Sequence, residues 1–197
     1  MTPVVLASTS ATRVGLLKAA GVSFQAVAPG VEEAALQTRL ITEGATPAQV
    51  ALALAKAKAL AVSAGPDVLV IGADQTLALA GQLFTKASDL GQARAHLLAL
   101  RGRTHHLHAA VAVAQAGAVT WSTIETASLT VRAFSDVFLD AYLAANADAA
   151  LYAVGGYALE EAGVQLFERI EGDYFTILGL PMLGLLRLLR ERGALPT

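Results

Sequence analysis

The chain contains no cysteine, only 15% charged residues and 6% aromatics, and its net charge is -2. Each shortage excludes something. Without cysteine there is no zinc finger, no thiol nucleophile and no disulfide scaffold, which fits a reducing cytoplasm. Near-neutral charge argues against an extended nucleic-acid footprint, so no nucleic acid polymer is expected as a partner. Lysine is scarce, with only Lys18, Lys56, Lys58 and Lys86. Phosphate-loop, dinucleotide-binding, zincin and serine-hydrolase signatures are absent.

Long apolar runs are also missing, although 55% of the 197 residues are hydrophobic. The excess is 42 alanines and 31 leucines. The longest segment free of Asp, Glu, Lys and Arg runs from Thr104 to Ile124, but three histidines and several other polar residues interrupt it. Ala116-Gly117 breaks it near the middle, so a β-hairpin fits and a membrane span does not. The N-terminal stretch has no basic start and only the short apolar run Val4 to Ala7. No signal peptide is expected, and the expected location is the cytoplasm. At this length the chain can bury a sizeable core.

What is present reads as mixed α/β. Pro3 to Ala7 predicts a short buried strand, and Ser8-Thr9-Ser10 leads into a helix that Gly21 ends. Val22 to Val27 predicts a second strand. Glu32 to Glu43 predicts a helix, and Thr46-Pro47 opens another that runs to about Ser63. Val68 to Ile71 predicts a buried strand ending at Gly72-Ala73-Asp74. A small hairpin covers Leu77 to Phe84, and a helix capped by Ser88 runs to Leu100. A long hairpin covers His106 to Val131, and Ser135 opens a helix to Ala145. Val164 to Ile170 and Tyr174 to Leu178 predict strands, and Pro181 opens the last helix.

Chemistry can reside at a few places. A strand running through Ser8 and Ser10 into a helix presents hydroxyls and unpaired N–H groups, and Arg13 reaches back from the first turn. That set suits an anion, although a plain helix cap uses the same residues. Asp74, after a buried strand, suits a divalent cation or a water to be deprotonated; a turn-capping aspartate reads the same way. Glu32 and Glu33 are a second carboxylate source or an ordinary acidic first turn. His106 and His108 share a strand face while His105 does not, which favours a half-buried strand over a metal site. Trp121 reads as packing.

These residues carry a pattern that resembles the Maf-like nucleoside triphosphate pyrophosphatase family along nearly the whole chain. Leu6-Ala7-Ser8-Thr9-Ser10-Ala11-Thr12-Arg13 with Leu16-Leu17 matches its opening signature. Val31-Glu32-Glu33 matches its acidic pair, and Leu54 to Ala59 its lysine helix. Ile71-Gly72-Ala73-Asp74 is similar to its aspartate signature, with a distal Lys86. Glu171-Gly172-Asp173-Tyr174 and Gly179-Leu180-Pro181 resemble its closing segment.

The resemblance implies one domain over residues 1–197, an elongated twisted mixed sheet flanked by helices, and two lobes around a central cleft. It implies hydrolysis of a nucleoside triphosphate between the α and β phosphates, giving a monophosphate and pyrophosphate. Asp74 is the implied catalytic base, and Glu33 with Asp74 the implied ligands of Mg²⁺ or Mn²⁺. Ser8, Arg13, Lys58 and Lys86 are implied to bind the triphosphate, and Thr12, Gln75 and Glu160 to choose the base. Gln75, Glu160 and Leu166 to Arg169 resemble the subgroup acting on 7-methyl-GTP. A purine edge suits Glu160, whose carboxylate accepts from guanine N–H groups. Ala11 and Ala87 stand where the family usually has proline. Other readings are a pyrimidine (dTTP, UTP, CTP) pyrophosphatase, a non-catalytic nucleotide-binding regulator of septum formation, and a generic α/β phosphatase that releases orthophosphate directly. A homodimer is compatible with the sequence, and no membrane partner is expected.

Overall fold

A computed structural model describes residues 1–63 and 65–197. The strands are β1 (Val4–Ala7), β2 (Gln25–Val27), β3 (Leu69–Leu79), β4 (Gln82–Phe84), β5 (Thr104–Gln115), β6 (Ala118–Val131) and β7 (Phe167–Glu171). The helices are α1 (Ala11–Ala19), α2 (Glu33–Thr42), α3 (Pro47–Val62), α4 (Leu90–Leu100), α5 (Asp136–Ala145), α6 (Ala147–Tyr152), α7 (Tyr174–Ile177) and α8 (Met182–Glu191). The strands form one seven-stranded mixed sheet in the order β2-β1-β3-β5-β6-β7, with β4 paired to β3. This is the mixed α/β class that the sequence predicts. The chain forms two compact units, Met1–Gln75 with His108–Glu125 and Asp173–Thr197, and Thr76–Leu107 with Thr126–Gly172.

In the first unit, β1 pairs in parallel with β2 and with β3, where Val4 faces Leu69 and Ala7 faces Gly72. Strand periodicity then sorts the two faces of the sheet. Leu69, Ile71, Ala73, Val111 and Val113 pack with Leu6, Leu17 and the α8 residues Met182, Leu185, Leu188 and Leu189. On the other face a cluster of alanines packs, with Leu52, Val119 and Ile124 against it. Ala51, Ala55 and Ala59 recur every four residues on one face of α3, and Ala110, Ala112 and Ala114 alternate along β5; all six are fully buried together. With only methyl groups between them, helix and sheet backbones lie close. A Cβ placed on Gly72 would overlap the carbonyl oxygen of Ala55 and stand 2.5 Å from the backbone nitrogen of Ala59. Six of the alanines thus form a close helix–sheet contact beside β3. Thr46 caps α3 through a complete capping box with Gln49, with Pro47 at its first position.

The second unit holds the hairpin turn Ala80-Gly81, whose positive φ values of 50° and 80° suit a two-residue hairpin loop. There β3 meets β4 in antiparallel register, Leu77 facing Phe84. β6 pairs antiparallel with β7, with an irregularity between Thr130 and Val131. His105 is fully buried, and one of its ring nitrogens, Nε2, lies 2.6 Å from the hydroxyl of Tyr157. Burial lowers the pKa of His105 to about 4, with His106 adding to the shift. Tyr142 donates to the Gly156 carbonyl at 3.2 Å, and burial pushes its hydroxyl up to about 12.

Several expectations need correction. β3 does not end at Asp74 but continues to Leu79. Asp74 lies two residues beyond Gly72, the last partner of β1, so the strand that ends beside it is β1. Tyr174 to Leu178 is not a strand, because the Asp173 carboxylate accepts the N–H groups of Phe175 and Thr176 and starts α7. That cap outweighs the strand preference of Tyr-Phe-Thr-Ile. Residues Ala162–Leu166 form a 3-10 turn, which shortens the strand expected from Val164. Asp89, rather than Ser88, caps α4. Helix α6 carried no strong sequence signal, being six residues with no side-chain cap. Among the histidines the buried one is His105, and His106 is exposed. Trp121 is partly buried against the leucine side of the core, as expected of a packing residue.

Candidate active site

Asp74 and Gly72 point to the same face of β3, the face that α3 covers. Lys58 precedes Ala59 on that helix, so the alanine contact brings its stem to Asp74. The Lys58 ammonium lies 2.6 Å from Asp74 Oδ1 and 2.8 Å from Glu33 Oε2. Lys58 and Asp74 are buried at 5% and 8% exposure, whereas Glu33, first residue of α2, is exposed. One lysine thus bridges a buried and an exposed carboxylate. Burial raises the pKa of Asp74 above the ordinary carboxylate value, with Lys58 and then Arg13 opposing it.

Arg13 is held from a different direction. Ser10 caps α1 by accepting the Arg13 N–H at 3.4 Å, and buried Ser8 accepts the Ser10 N–H at 3.2 Å. The serines do serve as turn and cap residues. The Arg13 side chain extends to the closing segment, where Nε donates to the Gly179 carbonyl at 2.9 Å. Burial lowers its pKa, while the charges of Asp74 and Glu33 act against that shift. The guanidinium is therefore the second cation within reach of both carboxylates.

Gln75 faces away from α3. Its Nε2 donates to the carbonyls of Thr176 at 3.0 Å and Ile177 at 2.9 Å. Thr176 is fully buried and its hydroxyl donates to Glu125 Oε2 at 2.8 Å. Gly179 sits between the two anchored side chains. At its φ of 88°, a Cβ would approach Arg13 Nη2 at 3.4 Å and Gln75 Oε1 at 3.5 Å. Glu125 and Thr176 were not singled out from sequence. Their link joins residues 51 apart, and the only local signal was the Gly172-Asp173 start of α7.

The structure therefore brings Glu33, Lys58, Asp74 and Arg13 together, and it seats Gln75 beside them in the chain on the opposite face of β3. Thr12 is half-buried in the first turn of α1. Lys86 and Glu160 are exposed residues of the second unit. Among the described residues, no group of three or more His, Asp or Glu side chains is arranged for a metal ion. The Glu33–Asp74 pair still fits a hard cation. Mg²⁺ is commonly held by one or two carboxylates plus substrate phosphates rather than by an all-protein cage.

The Maf-like protein family matches residues 3–192 of this chain. The chain belongs to that family. Its relatives include a nucleoside triphosphate pyrophosphatase of Caulobacter vibrioides, 56% identical over 99% of this chain and 98% of the relative. A 7-methyl-GTP pyrophosphatase of Rhizobium meliloti is 50% identical over 97% and 96%, respectively. A solved HAM1 protein from Coxiella burnetii overlays 68% of this chain and 75% of its own, with a TM-score of 0.42 and 16% identity. Among the described residues no helix is long and apolar enough to cross a membrane.

Proposed function

We propose that this Maf-like chain is a nucleoside triphosphate pyrophosphatase, a hydrolase that splits the α–β anhydride to a monophosphate and pyrophosphate. The observation that carries the reading is the buried Asp74 beside the Lys58 ammonium at 2.6 Å, with Arg13 acting on the same carboxylate. A carboxylate flanked by two cations suits a reaction that needs a base next to concentrated phosphate charge. Arg13, Lys58 and Lys86 would neutralise the triphosphate. Ser8 and the N-terminus of α1 would add neutral donors. Asp74 would take the proton of the attacking water.

Glu33 and Asp74 are the residues that would hold Mg²⁺ or Mn²⁺, which would add charge neutralisation at the phosphates and make water more acidic. Gln75, Thr12 and Glu160 are assigned to the base, with 7-methyl-GTP as the first candidate. The Rhizobium relatives of that activity support the choice. The chain is taken to work in the cytoplasm as one domain, free of nucleic acid polymer and membrane; a homodimer is compatible. Incubating the protein with Mg²⁺ and 7-methyl-GTP, UTP, CTP, dTTP and modified pyrimidines tests the reading. The expected result is pyrophosphate release, fastest with 7-methyl-GTP. Fastest turnover of a pyrimidine would favour the pyrimidine reading. Nucleotide binding without any turnover would favour a regulator.

A further inference from the structure

Lys58 is bound more tightly than a residue waiting for phosphate needs to be. Its side chain is 6% exposed, and the ammonium holds one oxygen of each carboxylate, 2.8 Å from Glu33 and 2.6 Å from Asp74. That is the position between two carboxylates where a cation gains most. The local charges also balance, with two carboxylates against Lys58 and Arg13. A dication arriving alone finds little net attraction there and an ammonium already in place. A triphosphate changes both conditions, because its oxygens attract Lys58 and Arg13 and leave the carboxylates uncompensated.

We infer that Lys58 is a place-holder for the divalent cation. In the nucleotide-free protein its ammonium keeps Glu33 and Asp74 paired and closed to free metal, and the carboxylates open only when a triphosphate takes the lysine. Lys58 is then a positioning residue that makes metal and nucleotide bind together. The inference rests on the pyrophosphatase reading for the identity of the anion. The geometry at the carboxylates is independent of that reading. The close approach of α3 at Gly72 fixes the lysine's helix against the strand that carries Asp74, so the bridge is set by backbone packing.

The test is binding of Mn²⁺ alone to the full chain, read by the electron paramagnetic resonance signal of free Mn²⁺. The wild type, Lys58→Met and Lys58→Gln are compared; the glutamine keeps a hydrogen-bond donor should the methionine variant not fold. Removing the ammonium is expected to tighten Mn²⁺ binding at least about tenfold, since one unit charge has left a partly buried site. Mn²⁺ is also expected to raise the melting temperature of the variant more than that of the wild type. A lysine that only supports the fold would lower the melting temperature and leave Mn²⁺ affinity unchanged or weaker; that result overturns the inference. The wild type supplies a second readout. An α,β-methylene nucleoside triphosphate is expected to tighten its Mn²⁺ binding strongly, and equal binding with and without the analogue would also contradict the place-holder. Pyrophosphate release by the wild type is scored separately. Release without any Mn²⁺ gain in the variants removes the inference and keeps the function; Mn²⁺ gain without release does the reverse.

Discussion

The two units bury polar groups in opposite ways. In the first, Lys58 and Asp74 are buried as charges, each the other's partner at 2.6 Å, with Glu33 and Arg13 acting on the same centre. In the second, the polar interior is neutral. His105 and Tyr157 are buried against each other at 2.6 Å, with burial lowering the histidine pKa and raising that of the tyrosine. In neither tautomer does His105 Nδ1 find a partner among the described residues. The same desolvation acts in both places. Paired opposite charges preserve ionisation, whereas two weak acids or bases simply stay neutral. A charged buried cluster is weak evidence for stability and better evidence for chemistry.

The largest effect should come from removing the charge on Asp74. Asp74→Asn keeps the shape and a contact with Lys58 but loses the base. Turnover is expected to fall about a thousandfold while nucleotide binding survives. A titration with labelled nucleotide beside a steady-state assay checks it. Near-normal turnover would place the base elsewhere.

Next comes the contact that builds the pair. Gly72→Ala inserts a methyl group into the backbone of α3 at Ala55 and Ala59. Relief requires α3 to move and to carry Lys58 with it. Urea unfolding should show a loss of roughly 1–3 kcal/mol, and activity should drop with it. A stable and fully active Gly72→Ala would show that the close approach is not needed.

The neutral region makes a pH prediction with a definite sign. The folded-state pKa of His105 is about 4, below its ordinary value of 6.5. Between those values the unfolded chain binds a proton that the folded chain refuses. Stability is therefore lost as pH falls from about 6.5 towards 4, by on the order of 3 kcal/mol from this residue. Comparing unfolding at pH 7.5 and pH 5 in wild type and His105→Phe isolates the contribution, and the variant should show a flatter profile. The charged region gives a smaller, kinetic counterpart. With the pKa of Asp74 raised by burial, the acid limb of kcat/KM should lie above the usual aspartate value of about 4. Activity should fall below that limb, because the base must be ionised.

Much of the site was legible along the chain because its parts carry local signals. Ser10 and Arg13 sit at a strand-to-helix turn, Asp74 follows a buried run, and four lysines leave few candidates. The alanine excess was visible only as a composition. The packing of Ala51, Ala55 and Ala59 on Ala110, Ala112 and Ala114 joins residues far apart in sequence and is not legible along the chain. The end of β3 is not legible along the chain, because Gly72 and Asp74 look like turn residues although both face a helix that comes close. Tyr174 to Leu178 read as a strand by side-chain type, and the Asp173 cap decided otherwise. The scarcity of lysine singles out Lys58 as a candidate for phosphate. That it holds two carboxylates could not be read from a list of charges, since the pairing joins three separate elements.

The products of wild-type turnover show which phosphate bond is cut. Mg²⁺ and 7-methyl-GTP are supplied, and every phosphorus species is followed by ³¹P resonance from the first turnover. One monophosphate and one pyrophosphate should form per triphosphate consumed, with no diphosphate intermediate. Direct formation of orthophosphate with a nucleoside diphosphate would contradict α–β cleavage.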